Sequence, residues 1–382
     1  MAIPSITVEE RDGQLGAIAV GPKLLAVVGN ATGGTVNQPQ LITKLPQLLT
    51  AFTGGALVEE CAELIARGVR CVAVRIADGM MVPNIGATLA ALKASAHQFT
   101  HLYAVGDAHD LAATLDSFCE DMLETQNRRC QWYGSMRAFN TGDVDEDVSS
   151  YVAAIVMQAA GIVTKYGSIA AGQLWTTSRV DGTSGYAPFS RFYVAQEMRL
   201  DLDQNSAELE FALPNCTAYD SDGNLRDQIY LENIHGSLAD MKLVVPRTWP
   251  DRGTSCYVTA PYIKSGEGSD FQLTNHRAVM NLARTVGYSA YAGQLNKTVR
   301  VSKSTGKILE ADAAKVEKLI QAQLDVAVLG KPYASGVTAT IDRDANLLSG
   351  AALELTIDIV PLVFTSNLSI SIGFKNPAIE VV

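Results

Sequence analysis

The sequence predicts an α/β body with a largely parallel sheet, in a chain that is α+β overall. In the first half, short runs of apolar and β-branched residues alternate with longer stretches in which apolar residues have helical spacing. This order favours a parallel sheet covered by helices on both faces. Near both ends of the chain, apolar and polar residues alternate with a period of two. Such alternation is typical of half-buried strands.

The α/β body is predicted to span residues 21–180. Its strands are expected at 24–28, 69–76, 101–105, 130–139 and 168–175, and its helices at 57–66, 87–97, 111–122 and 145–160. Gly68 follows the first helix at the position where many helices end in a left-handed residue. Residues 29–46 are largely polar and are expected to form a loop.

Residues 181–270 are predicted to be a turn-rich β region. Dipeptides such as Asp181-Gly182 and Arg252-Gly253 are turn signals between short strands. The Asp220-Ser-Asp222-Gly223 segment resembles a calcium-binding loop, but its glycine comes too early for one. A hairpin turn on Asp-Gly is the better interpretation.

Residues 271–365 are predicted to form a C-terminal α+β region. A helix is expected at 276–286, with Asn275 as its N-cap, and a longer helix at 310–328, which Gly330 and Pro332 end. The apolar residues of the longer helix are spaced to form one buried face: Val316, Leu319, Ile320 and Leu324.

The two ends of the chain, residues 1–20 and 366–382, are predicted to be extended β-arms. Their alternating apolar residues are Ile3, Ile6, Val8, Leu368, Ile370, Ile372 and Phe374. A strand needs a partner because its N–H and C=O groups cannot stay unpaired in a packed sheet. We expect residues 353–359 to join the sheet of their own domain and residues 368–374, beyond Pro361, to pair with a neighbouring molecule.

Composition limits the functions that the chain can have. Of its 382 residues 47% are apolar and 18% charged, and its net charge is −10. An acidic chain without a basic run is not expected to bind nucleic acid directly. No stretch reaches the roughly 20 apolar residues of a membrane span. The N-terminal residues lack the basic and apolar regions of a signal peptide, so synthesis in the cytoplasm is expected.

Motifs that would indicate a catalytic, cofactor or metal site are not found in the sequence. The loop that begins Gly29-Asn-Ala-Thr-Gly33-Gly34 follows a strand, but it matches neither a dinucleotide-binding loop nor a P-loop. A surface loop is the better interpretation than a phosphate site. The chain has no Gly-x-Ser-x-Gly elbow and no His-Glu-x-x-His motif. We therefore predict a protein that is not an enzyme and that needs no cofactor.

The six cysteines match no zinc-binding spacing, since none forms a Cys-x-x-Cys pair. Cys61 and Cys71 lie in apolar surroundings and are expected to be buried thiols. Cross-links between subunits in an oxidising medium remain an alternative. That alternative applies most to Cys216 and Cys256, which lie in loop-rich surroundings.

The C-terminal part of the chain resembles contractile tail sheath proteins of bacteriophages and related injection systems. The resemblance lies in the order of its elements: the helix at 310–328, the Gly330-x-Pro332 stop, a strand with an acidic turn at 337–346, Leu355-Thr-Ile-Asp-Ile-Val-Pro361 and Leu368-Ser-Ile-Ser-Ile. Trp249-Pro-Asp251-Arg252-Gly-Thr254 is similar to a segment of divergent sheath-like families. The N-terminal arm followed by an α/β body also fits.

The resemblance implies a structural subunit of a virion tail that polymerises with itself as stacked six-fold rings around a tail tube. Terminal arms would join strands of neighbouring subunits, and contraction would drive the tube through an envelope. The other implied partners are the tail tube protein and the baseplate and tail terminator proteins. The C-terminal region would face the tube, and the polar face of helix 310–328, with Lys315, Glu317 and Lys318, is the candidate contact.

Three alternatives stay open at the level of sequence. The polar face of helix 310–328 could be an ordinary solvated face. The chain could be a soluble α/β enzyme with a nucleotide-type fold. It could also be another structural component of a tail or baseplate.

Overall fold

A computed structural model of the protein describes residues 23–77, 82–126, 128–139, 146–219, 230–235, 237–294 and 297–365. The two predicted arms lie outside these described residues, and so does the predicted turn at Asp222-Gly223. The apolar residues of the arms are therefore not placed: Ile3, Ile6, Val8, Leu368, Ile370, Ile372 and Phe374.

The predicted parallel sheet is confirmed. Its six strands are β1 Leu25–Gly29, β2 Gln40–Ile42, β3 Cys71–Arg75, β4 His101–Asp107, β5 Gln131–Ser135 and β6 Gly167–Ala170. Their order across the sheet is β2-β3-β1-β4-β5-β6. Neighbouring strands are parallel except for β2, which is antiparallel to β3.

Helices cover both faces of this sheet. They are α1 Leu45–Ala51, α2 Ala56–Ala66, α3 Val82–Ala94, α4 Ala112–Gln126 and α5 Val148–Ala160. Alternate residues of β1 enter different cores: Ala26 and Val28 pack with α3, α4 and α5, whereas Leu25 and Val27 pack with α1 and α2. Burial on both faces explains why β1 is continuously apolar. Gly68 follows α2 with φ +79°, the left-handed conformation predicted for it.

Two predictions about the body are wrong at their boundaries. Residues 29–46 are not all loop, because they contain β2 and the start of α1. Pro46 lies in the first turn of α1, where a proline costs no hydrogen bond. Residues 168–175 are not one strand: β6 ends at Ala170, and β7 Gln173–Thr177 belongs to another sheet. Gly172, at φ +94°, redirects the chain between them.

The turn-rich region contains short strands, as predicted, and one helix that was not predicted. β7 pairs with β8 Ser184–Pro188 and β9 Cys216–Thr217, and β10 Pro246–Thr248 pairs with β11 Cys256–Val258. The unpredicted helix is α6 Phe189–Arg199, of which every residue but Arg199 is buried. Because its polar residues, among them Arg191 and Glu197, are buried together with its apolar ones, the helix has no solvent-facing side that would set an amphipathic pattern. A short helix, α7 Glu232–His235, follows.

The C-terminal region packs around a core of its own. It consists of α8 Thr274–Ala292, α9 Glu310–Leu324, a π-helical turn at Asp325–Leu329, β12 Ala334–Ile341 and β13 Leu355–Pro361. Asn275 is not the N-cap of α8; that residue is Leu273, and the Asn275 amide donates to the carbonyls of Leu202 and Gln204 at 3.0 and 2.8 Å. Leu319 was expected in the buried face of α9 but is exposed.

Candidate assembly surfaces

β12 and β13 form a separate two-stranded antiparallel sheet. Ala339 lies opposite Ile357, and Ile341 lies opposite Leu355, so the prediction that residues 353–359 join their own domain is confirmed. A two-stranded sheet is at best marginally stable alone. Its inner face therefore depends on α8 and α9, and at Gly287 of α8 the Ile357 side chain occupies the space that a Cβ atom would need.

The outer edge of β12 is closed by side chains of α9. Gln321 Nε2 donates to the Val337 carbonyl at 2.9 Å, and Gln321 Oε1 accepts from the Ala339 N–H at 2.9 Å. Glu317 Oε1 accepts from the Ile341 N–H at 2.8 Å. These side chains satisfy the groups that a further strand would need, so this edge cannot accept one without displacing them.

The outer edge of β13 is the open edge of the sheet. Among the described residues β13 pairs with β12 alone. In an antiparallel pair, two residues directly opposite each other either hydrogen-bond to each other or both direct their N–H and C=O groups away from the partner strand. Because Ala339 and Ile341 donate outward to α9, Ile357 and Leu355 also present their backbone groups outward, on the other side. This geometry leaves β13 able to accept a strand from another chain.

Arg343, which follows β12, forms ion pairs with two glutamates of α9. One of them, Glu317, is among the three predicted contact residues. Its Nε lies 2.6 Å from Glu310 Oε2, and its Nη1 lies 2.7 Å from Glu317 Oε1. Hydrogen bonding to Arg343 lowers the pKa of Glu317, so this side chain stays ionised and makes its contacts within the subunit. Lys315 and Lys318, the other two predicted residues, are exposed.

The outward face of α9 and of the turn after it also carries exposed apolar side chains. Leu319 is 40% exposed, Val326 59% and Leu329 38%. Sequence reasoning placed Leu319 in the core and did not consider the other two as contact residues. Their spacing forms a second apolar stripe beside the buried one. That stripe is the sequence pattern from which these contact residues could have been predicted. Two apolar stripes on one helix favour a second packing partner.

A groove lies where β13 ends. It encloses about 410 Å³ between α8 and the segment after β13, and its lining includes Phe271, Met280, Tyr333, Leu362 and Phe364. His276 Nε2 lies 3.1 Å from the Leu362 carbonyl oxygen, and the His276 ring stacks on Phe364. The chain is therefore fixed to α8 as far as Phe364, and the C-terminal arm begins beside this groove.

Lys23, the first described residue, is held in place by hydrogen bonds to the end of α6. Lys23 Nζ donates to the carbonyls of Glu197 and Leu200, at the end of α6, at 2.8 and 2.7 Å. Glu197 Oε2 in turn accepts from Thr274 Oγ1, at the start of α8, at 2.8 Å. Burial lowers the pKa of Lys23 and raises that of Glu197. These contacts connect Lys23, the first described residue, to α6 and, through Glu197, to the start of α8.

The buried polar groups of the body bind one another. Tyr103 Oη donates to Glu60 Oε2 at 3.0 Å, and Arg191 Nε donates to Glu60 Oε1 at 3.0 Å. Burial lowers the pKa of His101 to about 3, so this imidazole is neutral at physiological pH. Across the described ranges, no three His, Cys, Asp or Glu side chains are grouped to hold a metal ion. No helix there is long and apolar enough to cross a membrane.

Comparison with known proteins identifies solved structures that have a similar fold. Residues 3–176, less than half of the chain, match the family described as DUF2586, N-terminal domain. No curated protein matches the chain. Among solved structures, the sheath of an extracellular contractile injection system, the PVC sheath complex in its contracted state, matches with a TM-score of 0.62 and 11% identity, covering 98% of each chain.

Two bacterial sheath tail proteins are also similar. The protein from Desulfitobacterium hafniense matches with a TM-score of 0.56 and 7% identity over 94% of this chain and 100% of its own. The protein from Listeria innocua matches with a TM-score of 0.52 and 8% identity over 89% of this chain and 95% of its own. All three neighbours are structural sheath proteins rather than enzymes. The chain therefore has the fold of contractile sheath proteins.

Proposed function

We propose that this protein is the sheath subunit of a contractile tail or injection system. The observation that carries the proposal is the match to the PVC sheath over 98% of both chains, which includes the C-terminal region as well as the body. A match of this extent favours a sheath over the two alternatives, an enzyme with a nucleotide-type fold and another tail or baseplate component.

The open edge of β13 is the site at which subunits join. A strand from a neighbouring subunit adds to this edge by main-chain hydrogen bonds, which require no particular side-chain chemistry. The arms at 1–20 and 366–382, with their alternating apolar residues, supply such strands. Repetition of one head-to-tail contact closes rings or builds helical tubes, and the subunits assemble as stacked six-fold rings around a tail tube.

The outward face of α9 contacts the tube. Lys315 and Lys318 supply charge there, and Leu319, Val326 and Leu329 supply apolar area that the isolated subunit leaves exposed. Baseplate and terminator proteins bind the two ends of the polymer in the tail of the particle. Contraction rotates the bodies while the arms keep neighbouring subunits joined, and no cofactor takes part.

Negative-stain electron microscopy of the purified full-length chain tests this function. Striated hollow cylinders or stacked rings are expected. Variants that lack residues 1–12 or that end at Thr365 should stay folded but form no cylinders. A uniform monomer at high concentration of the full-length chain would contradict the sheath assignment. Cylinders formed by both truncated variants would contradict strand exchange by the arms but not the assignment itself.

A further inference from the structure

Cys216 and Cys256 are far apart in the sequence but are brought together in the turn-rich region. Cys216 begins β9 and Cys256 begins β11. The Leu213 N–H donates to the Cys256 carbonyl at 2.8 Å, and the Cys216 thiol donates to the Leu213 carbonyl at 3.5 Å. The Cys256 thiol is the largest cause of the raised pKa of the Cys216 thiol, which agrees with the proximity that these backbone contacts give the two residues. Both are free thiols in this structure.

The turn that carries Cys216 is held in place. Asn215 has φ +61°, and its side-chain amide donates to Thr176 Oγ1 at 3.2 Å and to the Thr177 carbonyl at 3.3 Å. These contacts fix the Cys216 backbone next to the segment that pairs with Cys256. A disulfide requires two closely adjacent backbones, and the antiparallel bridge between Leu213 and Cys256 brings the Cys256 backbone next to the turn that carries Cys216.

A buried cation lies close to the pair. Arg67 Nε donates to Glu63 Oε1 at 2.8 Å, and Arg67 Nη2 donates to the Pro214 carbonyl at 2.7 Å. Its Nη1 is buried and has no hydrogen-bond acceptor among the described residues. Contact with the Cys256 thiol and burial raise the pKa of Cys216, and the charge of Arg67 opposes that rise. Arg67 offsets these causes only in part, so the pKa of Cys216 stays well above its usual value, and only a small fraction of Cys216 is in the thiolate form that reacts.

The other four cysteines provide an internal comparison. Cys61 and Cys71 lie in one core of the body, and Cys119 and Cys130 lie in the other. All four are at most 1% exposed inside the two cores of the body, whereas Cys216 is only partly buried. Thiol–disulfide exchange requires access to the attacking sulfur. Only the pair that contains Cys216 offers such access in the folded chain.

We propose that Cys216 and Cys256 form an intramolecular disulfide when the folded protein meets an oxidising medium that contains a small-molecule disulfide. The Cys216 thiolate attacks the reagent and releases one reagent thiol. The Cys256 thiolate then attacks the Cys216 sulfur of the mixed disulfide and releases the second. The two cysteines lose two electrons and two protons, and the reagent disulfide is reduced to two thiols. The product joins β9 to β11 covalently.

Thiol counting after incubation with oxidised glutathione tests this inference on the full-length chain. The protein is then denatured, alkylated and analysed by intact mass and peptide mapping. We expect four of the six cysteines to be alkylated and one cross-linked peptide to join Cys216 to Cys256. The matched control Cys119→Ser should form the same cross-link. Neither Cys216→Ser nor Cys256→Ala should form it, and gel filtration would show that these variants are folded.

Three results would overturn the inference. One is alkylation of all six cysteines after the incubation. Another is glutathione that stays bound to Cys216. The third is a cross-link between Cys216 residues of two copies, which non-reducing electrophoresis would detect as a dimer.

Discussion

The six-stranded sheet of the body and the two-stranded sheet of the C-terminal region differ in how far their edge strands are covered. In the body, the edge strand β2 is only three residues long. The opposite edge, β6, is bonded to Val244, whose N–H donates to the Ile169 carbonyl at 2.9 Å. In the C-terminal sheet, α9 closes the β12 edge, but the seven-residue strand β13 has no second partner among the described residues.

This difference distinguishes a sheet whose edges are short or covered from a sheet that has one open edge among the described residues. Short edge strands and covered edges protect a sheet against pairing with other chains. An open seven-residue edge can pair with a strand of another chain. Such pairing causes aggregation of a monomer, but it provides a subunit contact in a polymer. The body should therefore determine whether the chain folds, and the β13 edge should determine whether it assembles. Three substitutions test this division, in order of expected effect on the free energy of unfolding.

Trp132→Ala should have the largest effect. The Trp132 ring is fully buried, its Nε1 donates to Asp116 Oδ1 at 3.0 Å, and it fills the space beside Gly167. Removal of a buried tryptophan costs about 3–5 kcal/mol, so the free energy of unfolding should fall by that amount and less folded subunit should be available for assembly. Urea unfolding followed by circular dichroism measures the loss. The control is Trp249→Ala, at a partly buried ring that packs on Arg247; equal losses for the two variants would contradict the central role of the body core.

Gln321→Ala should have an intermediate effect. It removes the two hydrogen bonds that Gln321 makes to the β12 edge and leaves the bond of Glu317 in place; a backbone group left without a partner costs about 1–3 kcal/mol. Hydrogen exchange at the Ala339 amide should become faster because its acceptor is lost. Gln323→Ala, on the exposed side of the same helix, should change neither quantity. Unchanged exchange at Ala339 in the Gln321 variant would show that α9 does not close this edge.

The difference between Ile357→Pro and Ile357→Ala should be the smallest in the free energy of unfolding and the largest in assembly. Both variants lose the same isoleucine packing, but only proline removes the N–H that points out from the β13 edge. Proline is tolerated at such edge positions, so the two variants should unfold at similar urea concentrations. Electron microscopy should show cylinders for the alanine variant alone. Cylinders formed by the proline variant would mean that no strand adds at this edge.

Much of the fold could be predicted because local patterns carry it. The continuous apolar strands and the amphipathic helices of the body indicated a parallel sheet, and the glycine after α2 marked the end of that helix. Helix α6 could not be predicted, since its polar residues, such as Arg191 and Glu197, are buried with its apolar ones and no solvent-facing side sets a pattern. The division of residues 168–175 into two strands depends on a backbone turn at Gly172, and a single glycine does not by itself distinguish a turn from a continuous strand.

The assembly surface likewise has features that the local sequence predicts and features that depend on the tertiary structure. The sequence predicted a strand with one apolar face at residues 353–359, which the structure has at Leu355–Pro361, and it placed Lys315 and Lys318 on a polar face of a helix. Only the tertiary structure decided which edge of that strand stays open, because the answer depends on Gln321 and Glu317 reaching across from α9 to the backbone of β12. Backbone hydrogen bonds between distant segments leave no mark in a local pattern of apolar and polar residues. The open edge of β13 therefore became visible only when its neighbours were in place.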